Sequence, residues 1–515
     1  MFRRMTAVLV VAALMLMSLC CTMAFAEEAK PLEGVTLKIW KPLWWSSALP
    51  KEEDNLAWQE VQKRLGVTLE IVSPTLGSEH EQFNLMIAGN ELPDIIYTDW
   101  SGTGLYTGGL DKYVDEGVLV DFADKVAEFS PNYLECIKTK VPEDEQKEFY
   151  TDSGYMCQYY AISPYEEYCY NGLLFRQDMM DQLGLDRPKT MDDVETALTR
   201  MKDELGAEYP MIFPGNGVDY NSGAFVSAYG IGPAFYQEDG VVKYGPLQTG
   251  WKDYMAKMND WYNKGLIDVD FVSRDEDAMK RMLTTGQSGA IIHSPDTVGA
   301  WLTGITTVMG SYFPTLNEGE TVQFRLKTYA CRPPYCAGIT TDCEARGKLE
   351  AAMTFLDYGY TEEGWMLYNY GVEGDTYTMV DGQAVFTDKV LNNPDYPSRL
   401  DTIALYKHHI GPFLRFEHES NPTVVPENME NRRLFTESAG TALCMPYITM
   451  TADEGSEYAS IMSQVQTEVD TYTVGCIMGT RSLDEFDAFV ESLKAMNIDR
   501  AIEIQQAALD RYNAR

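Results

Sequence analysis

Strand-period and helix-period segments alternate along the first part of this chain, and that order restricts the fold more than any other feature. Val35-Thr-Leu-Lys-Ile-Trp40 places apolar side chains at every second position, the period of a strand. A helix is expected over 52–65, stopped by Gly66, with a second strand over 67–72. Another helix, around 79–88, leads through Gly89-Asn-Glu-Leu-Pro93 to a strand over 94–98. Strand alternating with helix predicts a largely parallel sheet with helices on its faces. At 515 residues the chain is too long for one core, so two or more lobes are expected.

The middle and the end repeat the theme. Thr190 precedes a helix with Val194, Ala197, Leu198 and Met201 on one face, and its hydroxyl can cap the exposed amides. Glu238-Asp239-Gly240-Val241 reads as a tight hairpin turn. The next helix carries Trp251, Tyr254, Met255, Met258, Trp261 and Tyr262 at the spacing of a buried face, so these rings are assigned to the core. Two helices are expected over 350–358 and 362–370, and a last one from about 500 to 512. Ser482-Leu-Asp-Glu485 reads as a capping box starting a helix with Phe486, Phe489, Val490 and Leu493.

The N-terminus marks export. Arg3 and Arg4 precede an apolar run from Ala7 to Leu19, and Ala24-Phe25-Ala26 offers a small-x-small cleavage site. That is the layout of a signal peptide removed after Ala26. A lipid anchor fits poorly, because Leu19 precedes Cys20 where a small residue is wanted. Cleavage deletes two arginines and takes the net charge from −37 to −39. Distributed acidity argues against nucleic acid or anionic lipid as partner, since both need basic patches.

Eight cysteines remain, none in a C-x-x-C pair. An exported location permits disulfides, and irregular spacing in a large chain suits buried free thiols equally. Catalytic motifs are missing: no G-x-S-x-G, no H-E-x-x-H and no G-x-x-x-x-G-K. His80, His293, His408, His409 and His418 have no metal-ligand spacing, and His408 and His409 are expected to be exposed or hydrogen-bonded. Asp268, Asp270, Asp275 and Asp277 lack the turn glycine and third acid of a calcium loop, so a polar loop and helix cap is expected there. No metal and no cofactor is expected. With 78 acidic residues, counting carboxylate pairs leaves glycosidase chemistry open.

What remains is binding. In open α/β sheets, ligands sit beyond the carboxyl ends of the strands. Trp44 and Trp45 follow the first strand, Asp99 and Trp100 follow the third, and Trp301 lies just beyond a strand over 289–293. A flat ring stacks on the C–H face of a sugar while polar groups bond its hydroxyls.

At these segments the chain resembles the family 1 extracellular solute-binding proteins of bacterial ABC importers. The likeness rests on Met86-Ile-Ala-Gly-Asn-Glu-Leu-Pro-Asp-Ile-Ile96, then Tyr170-Asn-Gly-Leu-Leu-Phe-Arg-Gln-Asp178 with Leu183-Gly184. It continues through Val242-Lys-Tyr-Gly-Pro246 and Asn263-Lys-Gly-Leu-Ile-Asp268. Phe355-Leu-Asp-Tyr358, Thr361-Glu-Glu-Gly364, Tyr370-Gly-Val-Glu-Gly374 and the tail 482–512 complete it in the family's order.

The resemblance implies a two-lobed α/β fold of the type II periplasmic-binding-protein kind. Each lobe is a mixed sheet flanked by helices, and lobe rotation closes the cleft. It places lobe 1 at 27–162 plus 316–360, and lobe 2 at 163–315 plus 361–515. It implies a non-enzymatic, monomeric, extracytoplasmic protein that takes an oligosaccharide and delivers it to a membrane permease. A peptide or other polar cargo, a secreted glycoside hydrolase and a sensory binder are the alternatives. Candidate ligand contacts are Trp44, Trp45, Asp99 and Trp100 from lobe 1, and Tyr165, Tyr170, Tyr220 and Trp301 from lobe 2. Arg332 and Tyr335 lie near a crossing, and Glu373 is either a contact or a helix cap. Some relatives carry an Asp-rich calcium loop after the helix corresponding to 192–205. Gly206-Ala-Glu-Tyr-Pro210 stands there instead, so no such ion is expected.

Overall fold

The computed structural model describes residues 30–43, 49, 51–75, 77–89, 91–98, 109–164, 168–220, 222–396, 399–408, 411–415 and 426–515. In chain order its strands are β1 (Thr36–Trp40), β2 (Thr68–Val72), β3 (Ile95–Thr98), β4 (Tyr159–Ile162), β5 (Gly172–Arg176), β6 (Met211–Ile212) and β7 (Phe235–Glu238). They continue with β8 (Val241–Tyr244), β9 (Ala290–His293), β10 (Val308–Gly310), β11 (Cys331–Ile339), β12 (Tyr377–Val380) and β13 (Gln383–Phe386).

The opening alternation builds the first sheet, ordered β2-β1-β3-β11-β4. β2, β1 and β3 run parallel, and β11 lies antiparallel to both β3 and β4. The helix Leu56–Leu65 makes the first crossover. Asn55 starts it by accepting from the amides of Ala57 and Trp58, and Gly66 at φ 75° ends it, where a side chain would be strained. Its buried face, Ala57, Trp58, Val61 and Leu65, packs on the sheet.

The second sheet has the order β10-β5-β9-β6, with β5 antiparallel to β9 and β10 and β6 parallel to β9. Thr190 and Asp193 form a reciprocal capping box on the helix Met191–Leu205, whose Val194, Ala197, Leu198 and Met201 are buried. In the helix Thr249–Asn263, Trp251, Tyr254, Met255, Met258 and Trp261 are buried, as their period predicts. Asp239 and Gly240, both at positive φ, close the hairpin of β7 and β8.

The buried clusters draw together segments far apart in the chain. Leu367, Tyr368, Phe413 and Leu414 are buried in the same core as Leu37, Ile39 and Trp40. Residues 361–414, expected in lobe 2, therefore pack in part with lobe 1. Conversely, Val322 joins the cluster of Leu174 and Ile291, and Leu326 packs on it. Val322 and Leu326 therefore pack on the core of the second sheet. Three crossing segments lie side by side. The Ser163 amide donates to Ala330 O at 3.3 Å, the Ile162 amide to Phe413 O at 3.1 Å, and the Arg415 amide to Ile162 O at 2.8 Å.

The tail differs in one detail. Ser482 accepts from the Asp484 amide and opens a 3-10 turn, Leu483–Glu485, ahead of the helix Phe486–Ala495. Glu485 pairs with Arg481 instead of returning to the cap, so no capping box forms. The eight cysteines past residue 29 form no disulfide, seven of them buried and Cys444 half-buried. Among the described residues no helix is long and apolar enough to cross a membrane.

Candidate ligand-binding site

The carboxyl ends of the strands in both sheets position the candidate site. Beyond β1, Lys41 turns inward, and its Nζ meets Glu52 Oε1 at 2.5 Å with both side chains nearly buried. Glu52 Oε2 accepts from Trp58 Nε1 at 2.9 Å. Asn55 Nδ2 donates to the carbonyls of Ala404 at 2.6 Å and Lys407 at 2.9 Å. These bonds pin the segment ending at His408 to the rim of lobe 1. His408 is buried, its ring 4.3 Å from Trp58 and 4.5 Å from Tyr368. Burial, with Lys41 and Lys407 nearby, holds its imidazole well below the usual histidine range, so it is neutral. His408 is thus a core residue, against the expectation of an exposed or hydrogen-bonded ring: its Nε2 has no hydrogen-bond partner among the described residues.

Trp44, Trp45, Asp99, Trp100 and Tyr165 lie outside the described residues, as does His409. The described residues that lead into them are the rim residues after β1 and β3. There Thr98 is buried, and its carbonyl accepts from the Cys336 thiol at 3.0 Å. Arg332 and Tyr335 belong to β11, where the register shifts between Arg332 and Cys336, and their side chains fall outside the described part.

The rim of lobe 2 is described more fully. His293 ends β9, in register with Gly172, the first residue of β5 after the chain crosses. Its Nδ1 accepts from the Ser294 amide at 2.8 Å. Its ring lies 5.3 Å from that of Trp301 at 53°. Trp301 is not in a loop but is the last residue of the helix Pro295–Trp301, and it is half-buried against the cluster of Leu174 and Ile291. Asp296, in the first turn of that helix, pairs with Arg432 and accepts from Asn428 at 3.1 Å, which fixes the helix to Pro426–Ser438.

Asp219 follows β6 and accepts from the Ser222 hydroxyl and, at 3.2 Å, from its amide. Phe225, fully buried at φ 69°, ψ −52°, holds a γ-turn closed by the Val226 amide on Ala224 O at 2.9 Å. That conformation costs on the order of 1–3 kcal/mol and is kept by its packing. Burial lowers the His293 pKa, opposed in turn by the charge of Glu276, a hydrogen bond with the Ser294 backbone and the charge of Asp219.

Other expected contacts are placed differently. The Tyr220 hydroxyl donates to Asp470 Oδ1 at 3.1 Å and accepts from Gln466 Nε2 at 2.9 Å. It docks the helix Ala452–Ile477 on lobe 2 rather than presenting a free hydroxyl. Tyr170 is 37% exposed in the crossing segment, where a ring can face solvent or ligand. Glu373 is exposed in the turn before β12, and the ends of the preceding helix are capped by Thr361 and Gly371, so the cap role does not hold. The structure brings Trp301 together with His293, which motif reasoning passed over. The signal was available, since His293 is the last residue of the strand that singled out Trp301.

Among the described residues no group of three or more His, Cys, Asp or Glu could hold a metal ion. Asp268 instead receives Arg274 Nε at 2.5 Å, and Asp275 caps the helix Glu276–Thr285. The described rim offers the half-buried Trp301 ring beside His293 and the partly exposed ring of Tyr170.

Residues 50–364 match the family model described as bacterial extracellular solute-binding protein. The chain is 23% identical over 462 residues to lipoprotein LipO of Bacillus subtilis, covering 84% of this chain and 85% of that one. It is 27% identical over 296 residues to the fructooligosaccharide ABC transporter substrate-binding protein FusA of Streptococcus pneumoniae, covering 52% and 53%. The fold matches the alginate-binding protein AlgQ2, solved without calcium ion, with a TM-score of 0.74 at 22% identity, covering 93% of this chain and 98% of that one.

Proposed function

This chain belongs to the bacterial extracellular solute-binding proteins, and on that premise we propose that its cargo is an oligosaccharide. The cargo is held between the rims of the two lobes and handed to the membrane permease of an ABC transporter. The observation that carries this reading is the half-buried Trp301 ring set beside His293 at the carboxyl end of β9. Most of the large rings in the second lobe, Trp251, Trp261 and Tyr254 among them, are buried in its core. An indole left half-open beside a hydrogen-bonding group suits the alternating C–H faces and hydroxyls of a sugar. FusA and AlgQ2 support the same cargo class, since their names assign them fructooligosaccharide and alginate.

The protein acts without catalysis, and it works outside the cytoplasm after removal of residues 1–26. Trp44, Trp45, Asp99, Trp100 and Tyr165, with Tyr170, Arg332 and Tyr335, complete the binding surface in this reading. In this reading each lobe is built on one sheet, with β1 to β4 and β11 in the first and β5, β6, β9 and β10 in the second.

The test is binding by the mature protein, residues 27–515. A ligand that binds only the folded state raises the melting temperature with concentration. A panel of neutral and acidic tetrasaccharides and short peptides should give its shifts among the glycans. Release of reducing sugar from a bound glycan would mark a hydrolase instead.

A further inference from the structure

The last helix, Ile498–Ala514, is held at two points, one on each core. Gln506 accepts from the Val242 amide at 2.8 Å and donates to Gly240 O at 2.9 Å, at the hairpin whose Tyr236 and Tyr244 are buried in the second core. Further along, Arg511 Nε meets Asp152 Oδ2 at 2.6 Å, and Arg515 Nη2 meets Asp152 Oδ1 at 3.2 Å. Arg515 Nη1 also donates to the carbonyls of Tyr150 and Thr151, at 3.0 and 2.8 Å. Lys147 Nζ donates to Tyr512 O at 2.8 Å. The stretch 147–152 belongs to the first core through buried Phe149.

Between Gln506 and Arg511 the helix advances only about 7.5 Å, and 506–511 holds no glycine or proline at which it could bend. If the lobes rotate about the crossing strands, the helix cannot absorb the motion, so the polar contacts at its end must. Those contacts are built to exchange. Arg511 is shared: its Nη1 and Nη2 hold Glu454 at 3.0 and 2.5 Å, on the tail itself. Letting go of Asp152 therefore leaves the guanidinium paired, and Arg515 is free to turn to water.

We propose that Arg511 and Arg515 are positioning residues. Their grip on Asp152 and on the 150–151 carbonyls is a latch that holds the lobes at one angle and is exchanged for water when they rotate. Residues outside the candidate site then set part of the cargo affinity. The inference rests on the two-lobed binding reading above and not on the identity of the cargo.

The test uses the mature protein with spin labels at K63C and K280C, exposed positions on the helices Leu56–Leu65 and Glu276–Thr285, in a C444S background. Electron–electron dipolar distances are recorded without cargo for R515Q, R511Q/R515Q and K494Q, the last at an exposed pair with Glu491. The double variant should give a broadened or displaced distance distribution, R515Q a smaller change in the same sense, and K494Q none. Unchanged helicity and a cooperative melt in R515Q separate a loosened latch from lost folding. Calorimetry then follows, with whichever of nystose, maltotetraose, cellotetraose and tetragalacturonate binds the unsubstituted protein. The double variant should change its dissociation constant at least about threefold, because the population of the competent angle shifts. An unchanged distance distribution, or an unchanged dissociation constant, overturns the proposal and leaves the oligosaccharide reading standing. If no tetrasaccharide binds, the oligosaccharide reading falls, and the distances still decide whether the latch holds the angle.

Discussion

The hydroxyl of Tyr512 donates to Glu148 Oε1 at 3.0 Å, tying the last turn of the chain to lobe 1. The helix that carries it, Ile498–Ala514, begins in the other lobe, where Ile498 and Ala501 are buried with Trp251 and Trp261. One helix thus touches both lobes, beside the crossing strand β11, whose Cys331 thiol donates to Glu148 Oε2 at 3.5 Å.

Asp152 is the main ionic anchor of this helix. Its side chain is 1% exposed and meets Arg511 Nε at 2.6 Å and Arg515 Nη2 at 3.2 Å. Removing it takes one partner from Arg515 and leaves Arg511 with Glu454, and because both arginines reach solvent the loss costs about 1–2 kcal/mol. D152A should lower the unfolding free energy by that amount in urea titrations, whereas K494A, at an exposed helical pair with Glu491, should change it by less than about 0.5 kcal/mol.

Glu148 gives stability a pH dependence. Burial, reinforced by the neighbouring charge of Glu145, raises its pKa from 4.5 to about 7, while Tyr512, Cys331 and Lys327 act in the opposite direction. Because the folded value lies above the unfolded one, the folded state holds the proton more tightly. The contribution is full below pH 4.5, declines between 4.5 and 7, and is gone above that. E148Q, permanently neutral, should flatten this part of the stability profile and raise stability at pH 8 by roughly 2–3 kcal/mol. Unfolding titrations at pH 5 and pH 8 check both points.

Asn55 does two jobs that a carboxylate cannot share. Its oxygen caps the helix Leu56–Leu65, and its amide nitrogen bonds the carbonyls of Ala404 and Lys407. Asp is an equally good cap in most helices. Here N55D keeps the cap but faces two carbonyls with a charge, so it should destabilise by at least as much as N55A, about 2–3 kcal/mol. Denaturant midpoints of the two variants compare them directly.

The thiols should be inert in the folded protein. Burial pushes Cys136 up to about 11 and Cys343 up to about 12, and Cys157 and Cys331 higher still. The thiolate is the reactive form. At pH 8 the native mature protein should resist alkylation except slowly at half-buried Cys444, and the denatured protein should take up eight equivalents. Mass spectrometry before and after denaturation reads this.

Local pattern carried much of the fold. Alternation announced β1 and β2, and the caps at Thr190 and Asp275 and the turn at Asp239 and Gly240 were read from residue type alone. What local pattern does not carry is long-range partnership. The return of 361–414 to lobe 1 depends on Tyr368 and Phe413 meeting a core built from residues three hundred positions earlier. His408 went the same way, because Trp58 and Tyr368 bury it from distant segments. At the candidate site, chain position identified Trp301. The bond from the Ser294 amide to the His293 ring is one that no spacing announces.

The most direct test of the account is calorimetric titration of the mature protein with nystose, maltotetraose, cellotetraose and tetragalacturonate. The account predicts one-to-one binding of at least one of these tetrasaccharides, lost on Trp301→Ala. No heat from any glycan, with a short peptide binding in their place, would contradict it.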